Sequence, residues 1–355
     1  MNVLICPDKF KGTLTAFEAA HAIAQGLPPQ VNSMIHPMAD GGEGSLEVIA
    51  EQTQGHWVFS SVHDPLFRPI QARYWVSGDT AYIEMAKASG LDLLHDSERQ
   101  PCQATSYGTG ELVYHAMTSG FRKIMLFIGG SATVDGGVGL LAALGYRFFD
   151  SKGNTLSPVA GNLSSIESWF EPRLNLEVSV VCDVTNPLHG DFGAARMFGP
   201  QKGASPDQVE QLAAGLWHFE RKVAQKYRID WALFPGAGAA GGVGWAALAF
   251  LGATYQAGFD FIARVTQLEK KIQVADLVIT GEGKIDAQTW HGKVPDGVYR
   301  LANHWNKPVV ALCGIQEGTS PIPVFDLVSV APNMESAQKE AEKWIFEVVR
   351  RCINK

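Results

Sequence analysis

The sequence predicts an α/β protein of two domains. One is a Rossmann-like domain with a parallel sheet, built from both termini, and the other is an α/β domain with a mixed sheet from the middle of the chain. Three observations carry this expectation. Short apolar runs lead into glycine-containing loops and then helical patterns, an alternation that builds parallel sheet. Between residues 57 and 84, extended segments follow one another with only turns between them, which builds antiparallel sheet. The 355 residues also exceed the roughly 100–200 of a typical single domain.

Residues 3–6 read as a short buried strand, and residues 15–25 as a helix that Gly26 and Pro28 terminate. Residues 57–59, 72–76 and 81–84 are the successive extended segments. Further apolar runs at 124–128, 178–182, 277–280, 309–313 and 327–330 read as buried strands. Ser205-Pro206-Asp207 starts a helix, with Ser as N-cap, Pro at the first helical position and an acid in the first turn, and the helix should run to about Lys226. No solenoid repeat, coiled-coil heptad or low-complexity tract interrupts the pattern. The working division puts residues 1–65 and 272–355 in the Rossmann-like domain and residues 66–271 in the inserted one.

With 46% hydrophobic and 18% charged residues, the chain can form packed cores. A formal net charge of −7 gives no electrostatic reason to approach nucleic acid or an anionic membrane, so a small-molecule substrate is expected. The five cysteines, Cys6, Cys102, Cys182, Cys313 and Cys352, include no Cys-x-x-Cys pair and read as reduced thiols of a cytoplasmic protein. The N-terminus enters an apolar strand with no basic n-region before it, and no stretch reaches the roughly 20 apolar residues that span a bilayer.

The chemistry concentrates in glycine-rich segments that also carry carboxylates and lysines. These are Asp8-Lys9-Phe10-Lys11-Gly12-Thr13, Asp40-Gly41-Gly42-Glu43-Gly44, Gly129-Gly130-Ser131-Ala132-Thr133-Val134-Asp135-Gly136-Gly137, and Thr280-Gly281-Glu282-Gly283-Lys284-Ile285-Asp286. Each follows or nearly follows an expected strand, and ligands of open α/β sheets bind outside the carboxyl ends of strands. Glycine lets backbone N–H groups approach phosphate oxygens, carboxylates hold Mg²⁺ or accept a hydroxyl proton, and lysines offset charge on a transferring phosphoryl group. Together these are parts of a phosphoryl-transfer site.

Each segment also has a plainer reading. Asp8 and Lys11 could belong to a capped turn, and Asp40 with Glu43 could form a capping box at a helix start. The 131–139 run could be a tight turn that allows close helix packing, and Glu282 and Asp286 could be ordinary loop charges. Gly236-Ala237-Gly238-Ala239-Ala240-Gly241 matches the dinucleotide fingerprint and has Asp260 about 20 residues on, which suggests a dehydrogenase. Pro235 immediately before it and the doubtful strand at 227–231 argue against that, leaving a nucleotide-facing loop or a close helix contact. No P-loop, H-E-x-x-H or G-x-S-x-G motif is present. His291 is the one histidine to watch, with surface or core packing as its plainer role.

The segments Asp8-Lys9-Phe10-Lys11-Gly12-Thr13-Leu14, Met38-Ala39-Asp40-Gly41-Gly42-Glu43-Gly44, Tyr107-Gly108-Thr109-Gly110-Glu111-Leu112 and Gly129-Gly130-Ser131-Ala132-Thr133 resemble the bacterial glycerate kinase family. The likeness continues through Asp135-Gly136-Gly137, Cys182-Asp183-Val184, Asn186-Pro187-Leu188, Phe198-Gly199-Pro200-Gln201-Lys202-Gly203-Ala204, the 236–244 run and Thr280-Gly281-Glu282-Gly283. It extends to Asp286, Gln288-Thr289 and Gly292-Lys293. The ordered set spans about nine tenths of the chain and is more specific than any single motif. One departure is Val134, where many relatives carry Asn.

The resemblance implies transfer of the ATP γ-phosphoryl group to D-glycerate with Mg²⁺, release of ADP, a two-domain α/β fold, an active site in the cleft between the domains, and 2-phosphoglycerate over 3-phosphoglycerate as product. On that basis Lys11 is expected to neutralise transferring charge, with Asp183 and Asp135 as base or metal residues. Gly129, Gly130, Ser131, Thr133, Gly236, Gly238, Gly281, Gly283 and Lys293 are expected around the nucleotide. Asp8, Asp40, Glu43, Asn186, Lys202 and Glu282 are expected around the substrate, and Asp286 with Asp135 around the metal. The partners are then D-glycerate and ATP, with no nucleic acid or membrane, and the chain is a monomer or homodimer.

Overall fold

The computed structural model describes residues 1–353. It divides into two compact units, Met1–Thr53 with Ala257–Lys355, and Gln54–Gln256. In chain order the first unit carries strands β1 (Asn2–Ile5) and β2 (Asn32–Ile35). The second carries β3 (His56–His63), β4 (Pro69–Ser77), β5 (Thr80–Glu84), β6 (Lys123–Phe127), β7 (Arg147–Phe149), β8 (Ser168–Phe170), β9 (Glu177–Val181) and β10 (Thr254–Gln256). The chain then returns to the first unit with β11 (Leu277–Ile285), β12 (Val309–Gln316) and β13 (Val324–Asp326).

The first unit has one sheet of order β13-β12-β11-β1-β2, parallel throughout. The second has a sheet of order β10-β9-β6-β5-β4-β3, parallel from β10 to β5 and antiparallel across β5-β4-β3, with β7 and β8 as a separate antiparallel pair. The α/β class, the parallel sheet from both termini and the mixed sheet from the middle are as expected from the sequence. The unit boundaries are shifted from the working division. Residues 54–65 belong with the middle because β3 pairs with β4 along its whole length, from His56 opposite Val76 to His63 opposite Pro69. Residues 257–271 belong with the termini because Phe259 packs there; a Cβ on Gly297 would lie 2.3 Å from its ring.

Most elements form where their residues predict. Thr15 caps the helix Ala16–Gly26, accepting from the Glu18 N–H while Glu18 accepts from the Thr15 N–H. Ser205 and Gln208 form the same reciprocal cap on the helix Pro206–Tyr227, and Arg228 ends it in the left-handed region at φ 58°. Two expectations are corrected. The apolar run 327–330 is a turn after β13, with the Val330 and Ala331 N–H groups both donating to the Leu327 carbonyl. The expected loop 280–285 is the second half of β11, because pairing with β12 continues through Glu282 opposite Cys313 to Ile285 opposite Gln316. Among the cysteines, Cys6, Cys102, Cys182 and Cys313 are free thiols, while Cys352 lies outside the described side chains. Among the described residues, no helix is long and apolar enough to cross a membrane.

Each unit closes around its own core. In the first, Val3, Ile5, Ile23, Ile279, Leu312 and Ile345 are buried together. His36, directly after β2, is wholly buried there. Its Nδ1 accepts from Lys271 Nζ at 2.6 Å and its Nε2 lies 3.0 Å from Thr266 Oγ1, which itself donates to the Ile262 carbonyl. This chain of donors fixes the neutral ring with its proton on Nε2. Burial, reinforced by the Lys271 charge, pulls the imidazole pKa down to about 3.

In the second unit, Phe148, Trp169 and Trp245 meet Phe219 edge to face, and Phe250 stacks on it. Above that core, Asp135 is fully buried and takes four donors. Its Oδ2 accepts from the Ser106 N–H and Oγ–H, each at 2.7 Å, and from the Gly139 N–H at 3.2 Å, while Oδ1 accepts from the Gly137 N–H at 3.0 Å. Ser106 Oγ in turn accepts from the Leu140 N–H. One carboxylate thereby ties the start of the helix Tyr107–Thr118 to the start of the helix Val138–Ala143. The two helices touch through glycine: a Cβ on Gly110 would lie 2.3 Å from the Leu140 carbonyl oxygen, and one on Gly139 would lie 2.2 Å from Thr105 Oγ1.

Two outcomes follow from these buried groups. Because the folded His36 pKa lies below the unfolded value, the unfolded chain binds a proton that the folded chain refuses, so stability falls as pH drops below about 6.5. Urea unfolding between pH 6.5 and 5 should show a slope approaching about 1.4 kcal/mol per pH unit that His36→Gln lacks; equal slopes in both proteins would refute it. Asp135→Asn turns one acceptor into a donor facing donors, and should cost about 1–3 kcal/mol in urea unfolding. Wild-type stability with abolished turnover would instead mark Asp135 as a reacting group.

Candidate functional site

In the first unit, the carboxyl ends of β1 and β11 position a group of acids. Beyond β1, the Cys6 N–H donates to the Ile279 carbonyl and the Asp8 N–H to the Gly281 carbonyl at 2.8 Å, so the chain stays against β11 and brings Asp8 with it. Residues 10–14 then fold back on themselves, with Phe10 and Leu14 exchanging both backbone hydrogen bonds and Gly12 at φ 76°. Lys11 stands exposed at the tip of this turn. Gly281 and Gly283 serve packing. A Cβ on Gly281 would lie 2.1 Å from the Leu312 carbonyl oxygen, and one on Gly283 would lie 3.1 Å from the Lys11 nitrogen. Both glycines, expected around the nucleotide, thus lie within β11 and let β12 and the 8–14 turn come close.

Strand alternation turns Glu282 inward, where it is 8% exposed and accepts from Thr289 Oγ1 at 2.5 Å. Lys293 Nζ lies 3.9 Å from its other oxygen. Burial raises the Glu282 pKa, with the Asp40 and Asp286 charges adding to the rise against the Thr289 hydrogen bond and Lys293. Asp8 is pushed well above the usual carboxylate range by burial, then by the charge of Asp40 and, more weakly, of Glu282. Asp8, Asp40 and Glu282 thus repel one another in a partly dry setting.

Asp40 is half-buried and accepts from the Gly42 N–H at 3.0 Å. The helix Ser45–Gln52 starts instead from Gly44 at φ 90°, so the capping-box reading of Asp40 and Glu43 is not realised. Glu43 is exposed; Lys9 Nζ lies 3.8 Å from its carboxylate and donates to its carbonyl at 2.6 Å. Asp286 caps the short turn Ala287–Trp290, accepting from the Gln288 N–H at 2.9 Å. Burial pushes its pKa up, but that hydrogen bond with the Lys293 and Lys284 charges leaves it net lowered. His291 is exposed at the end of the same turn.

Among the described residues, no three His, Cys, Asp or Glu side chains form a ready metal cage. Mg²⁺ commonly takes only one or two protein carboxylates, with phosphate oxygens and water completing its shell. A group of carboxylates with raised pKa values, which a cation would relieve, fits that mode.

In the second unit, Gly129, Gly130 and Ser131 follow β6. Gly130 is exposed at φ 71°, and Ser131 and Thr133 are buried. Lys202 is 3% exposed and donates to Ser131 Oγ at 2.8 Å and to the Thr133 carbonyl at 2.7 Å. Burial lowers its pKa to about 7, against the charge of Asp135, which favours protonation. Lys202, expected at the substrate, is thus held inside the second unit by these two hydrogen bonds. Asp135, expected as a catalytic or metal residue, is fully buried with both oxygens accepting from protein donors.

Asp183 is exposed beyond the carboxyl end of β9. Asn186 is half-buried and donates to the Phe192 carbonyl at 2.9 Å, while its own carbonyl accepts from the Gly238 N–H at 2.9 Å. Gly236 and Gly238, expected around the nucleotide, are buried. A Cβ on Gly238 would meet the Pro187 carbonyl oxygen at 2.1 Å and one on Gly236 the Tyr255 ring at 2.5 Å. No strand precedes this run, so the dinucleotide fingerprint lacks its strand-turn-helix setting and the close-packing reading holds. Val134, the departure from the family pattern, is wholly buried in the apolar core, where a β-branched hydrocarbon fits.

Sequence reading missed two features. Glu84, fully buried at the end of β5, lies 3.8 Å from Lys87, and an acid closing an apolar strand was the available signal. Ser106 was missed because its importance depends on Asp135, which lies 29 residues away in sequence.

Comparison with known proteins identifies the family. The chain is 44% identical over 324 residues to a glycerate 2-kinase of Escherichia coli K12, covering 88% of this chain and 85% of that protein. It is 39% identical over 369 residues to a glycerate kinase of Bacillus subtilis 168, covering 99% and 96%. A crystal structure assigned as glycerate kinase 2 from Salmonella typhimurium LT2 superposes with a TM-score of 0.85 at 40% identity, covering 99% of this chain and 96% of that one. The glycerate kinase family model matches residues 3–354, and with relatives at this identity along nearly its whole length, the chain belongs to the glycerate kinase family and is a kinase.

Proposed function

We propose that this kinase transfers the γ-phosphoryl group of ATP to D-glycerate, releasing ADP, with 2-phosphoglycerate as the favoured product. The observation that carries the reading is the set of mutually repelling carboxylates at the carboxyl ends of β1 and β11 with lysines beside it. Phosphoryl transfer needs positioning and charge stabilisation more than covalent chemistry. Acids that favour a bound cation, next to bases that offset phosphate charge, suit that need. The E. coli relative's name favours the 2-position.

In this reading one or two of Asp8, Asp40 and Glu282 hold Mg²⁺, which when bound supplies neutralisation of phosphate charge. Glu43 and Asp286, at the edge of the acidic group, orient substrate hydroxyls directly or through water. Lys11, exposed on its turn, and Lys293, beside Glu282, stabilise charge on the transferring group. Asp183, exposed beyond β9, accepts the proton of the attacking glycerate hydroxyl, so that the hydroxyl oxygen gains the phosphoryl group as the bond to the ADP oxygen breaks. The amides of the 129–131 turn bind phosphate oxygens of the donor.

The test is ADP release by the purified protein given ATP, Mg²⁺ and D-glycerate, with ³¹P NMR of the product. Glycerate-dependent ADP and a 2-phosphoglycerate signal are expected. A 3-phosphoglycerate signal would overturn the position, and absence of ADP would overturn the reaction. Asp8→Asn, Glu282→Gln, Lys11→Ala and Asp183→Asn should each fold and lose on the order of 10²-fold or more in kcat/KM. Near-normal turnover in folded Lys11→Ala and Asp183→Asn would remove those two assignments.

A further inference from the structure

A buried lysine gives up the hydration of its ammonium group, so specific acceptors must hold it in place. Lys202 comes from the short turn Pro200–Lys202, which Gly203 closes at φ 91°. A Cβ on Gly203 would lie 2.7 Å from Arg99 Cβ and 2.9 Å from the Arg99 carbonyl oxygen, so the turn is pressed against its neighbour with no slack. From this fixed base, Nζ reaches Ser131 Oγ and the Thr133 carbonyl.

The other side of the 129–131 turn is held independently. The Leu91 N–H donates to the Gly130 carbonyl at 2.8 Å, and the Ala132 N–H to the Ser89 carbonyl at 2.9 Å. Ser89 Oγ is fixed in turn by Thr109 Oγ1 at 2.7 Å. Between these two clamps, the amide N–H groups of Gly129, Gly130 and Ser131 have no acceptor among the described residues. Gly130 is exposed and left-handed. Successive unpaired amides around a left-handed residue make an anion-binding concavity, and this one follows β6 at the sheet end where α/β proteins bind ligands.

We infer that Lys202 is a positioning residue, which acts through Ser131 and the Thr133 carbonyl to hold the 129–131 amides as a nest for a phosphate group of ATP and does not itself touch substrate. The inference deepens the functional reading above and rests on it for the identity of the anion. The amides bind phosphate well only if they converge, and the clamp spares the bound state the ordering of a glycine-rich turn. An ammonium in contact with the ligand would need an open path to it, which a side chain 3% exposed and bonded twice to its own chain does not have.

The experiment measures ATP binding to the full-length protein by calorimetry, and KM for ATP and for D-glycerate separately, in wild type, Lys202→Met, Ser131→Ala and the double variant. Lys202→Met should weaken ATP binding by about tenfold to a hundredfold and leave the D-glycerate KM within about twofold. Ser131→Ala should move the same parameter in the same direction, and the double variant should be little worse than the worse single, because both remove one clamp.

Additive losses, or a rise in the D-glycerate KM with ATP binding unchanged, would show direct contact and overturn the inference. If Lys202→Met gives no cooperative melt, Ser131→Ala decides alone, with unchanged ATP affinity counting against the proposal. Calorimetry needs no turnover, so the two readings fail differently. Wild-type protein that binds ATP but releases no ADP with D-glycerate overturns the reaction, whereas wild-type protein that does not bind ATP overturns the nest.

Discussion

The second unit depends on one buried carboxylate. Asp135 has no contact with water, and its charge is tolerable only because three backbone N–H groups and one hydroxyl converge on it. Three of those donors belong to helix starts, where N–H groups have no partner within the helix. The acid therefore satisfies the orphan donors of two helices at once and fixes how their axes begin. The glycines at 110 and 139 are consequences of that arrangement, since a Cβ at either position would strike the facing backbone or side chain. The turn that follows β6 leads directly into this anchor.

The first unit solves a different problem. Its sheet is parallel, and β1 and β11 lie side by side in register, so the residues just beyond the carboxyl end of β1 run alongside the second half of β11. Asp8 and Glu282 reach that region from strands whose sequence separation exceeds 270 residues. Both are held by backbone pairing, and Lys293, the ion-pair partner of Glu282, stands off at 3.9 Å. The backbone thus holds together carboxylates that repel one another, and that stored repulsion is what a bound cation would release. His36 in the same unit shows the opposite solution: a titratable group is buried neutral because its donor and acceptor partners define one tautomer.

Much of this was legible along the chain. The apolar runs at 3–6, 124–128, 178–182 and 309–313, the caps at Thr15 and Ser205, and the antiparallel stretch between 57 and 84 all rest on local periodicity and local hydrogen bonding. The ordered motifs alone make the family readable. Glycine was harder to read. Gly130 lies exposed in its turn, whereas Gly236, Gly238, Gly281 and Gly283 look alike in sequence and sit hard against a ring or other backbone. A glycine reports that space is short on one side and leaves unstated what fills it.

The sequence by itself determined the α/β class, the parallel and mixed sheets, the family and the types of residue that bear the chemistry, because these depend on side-chain pattern and composition. Tertiary structure alone decided which charged residues are buried and internally bonded and which stand exposed. Asp135 and Lys202 carry charges as plausible in sequence as those of Asp8 and Lys11, and only burial and the count of internal partners separate them. The physical reason is that the role of a charge is set by its access to water and by its neighbours, and both come from segments far apart in the chain.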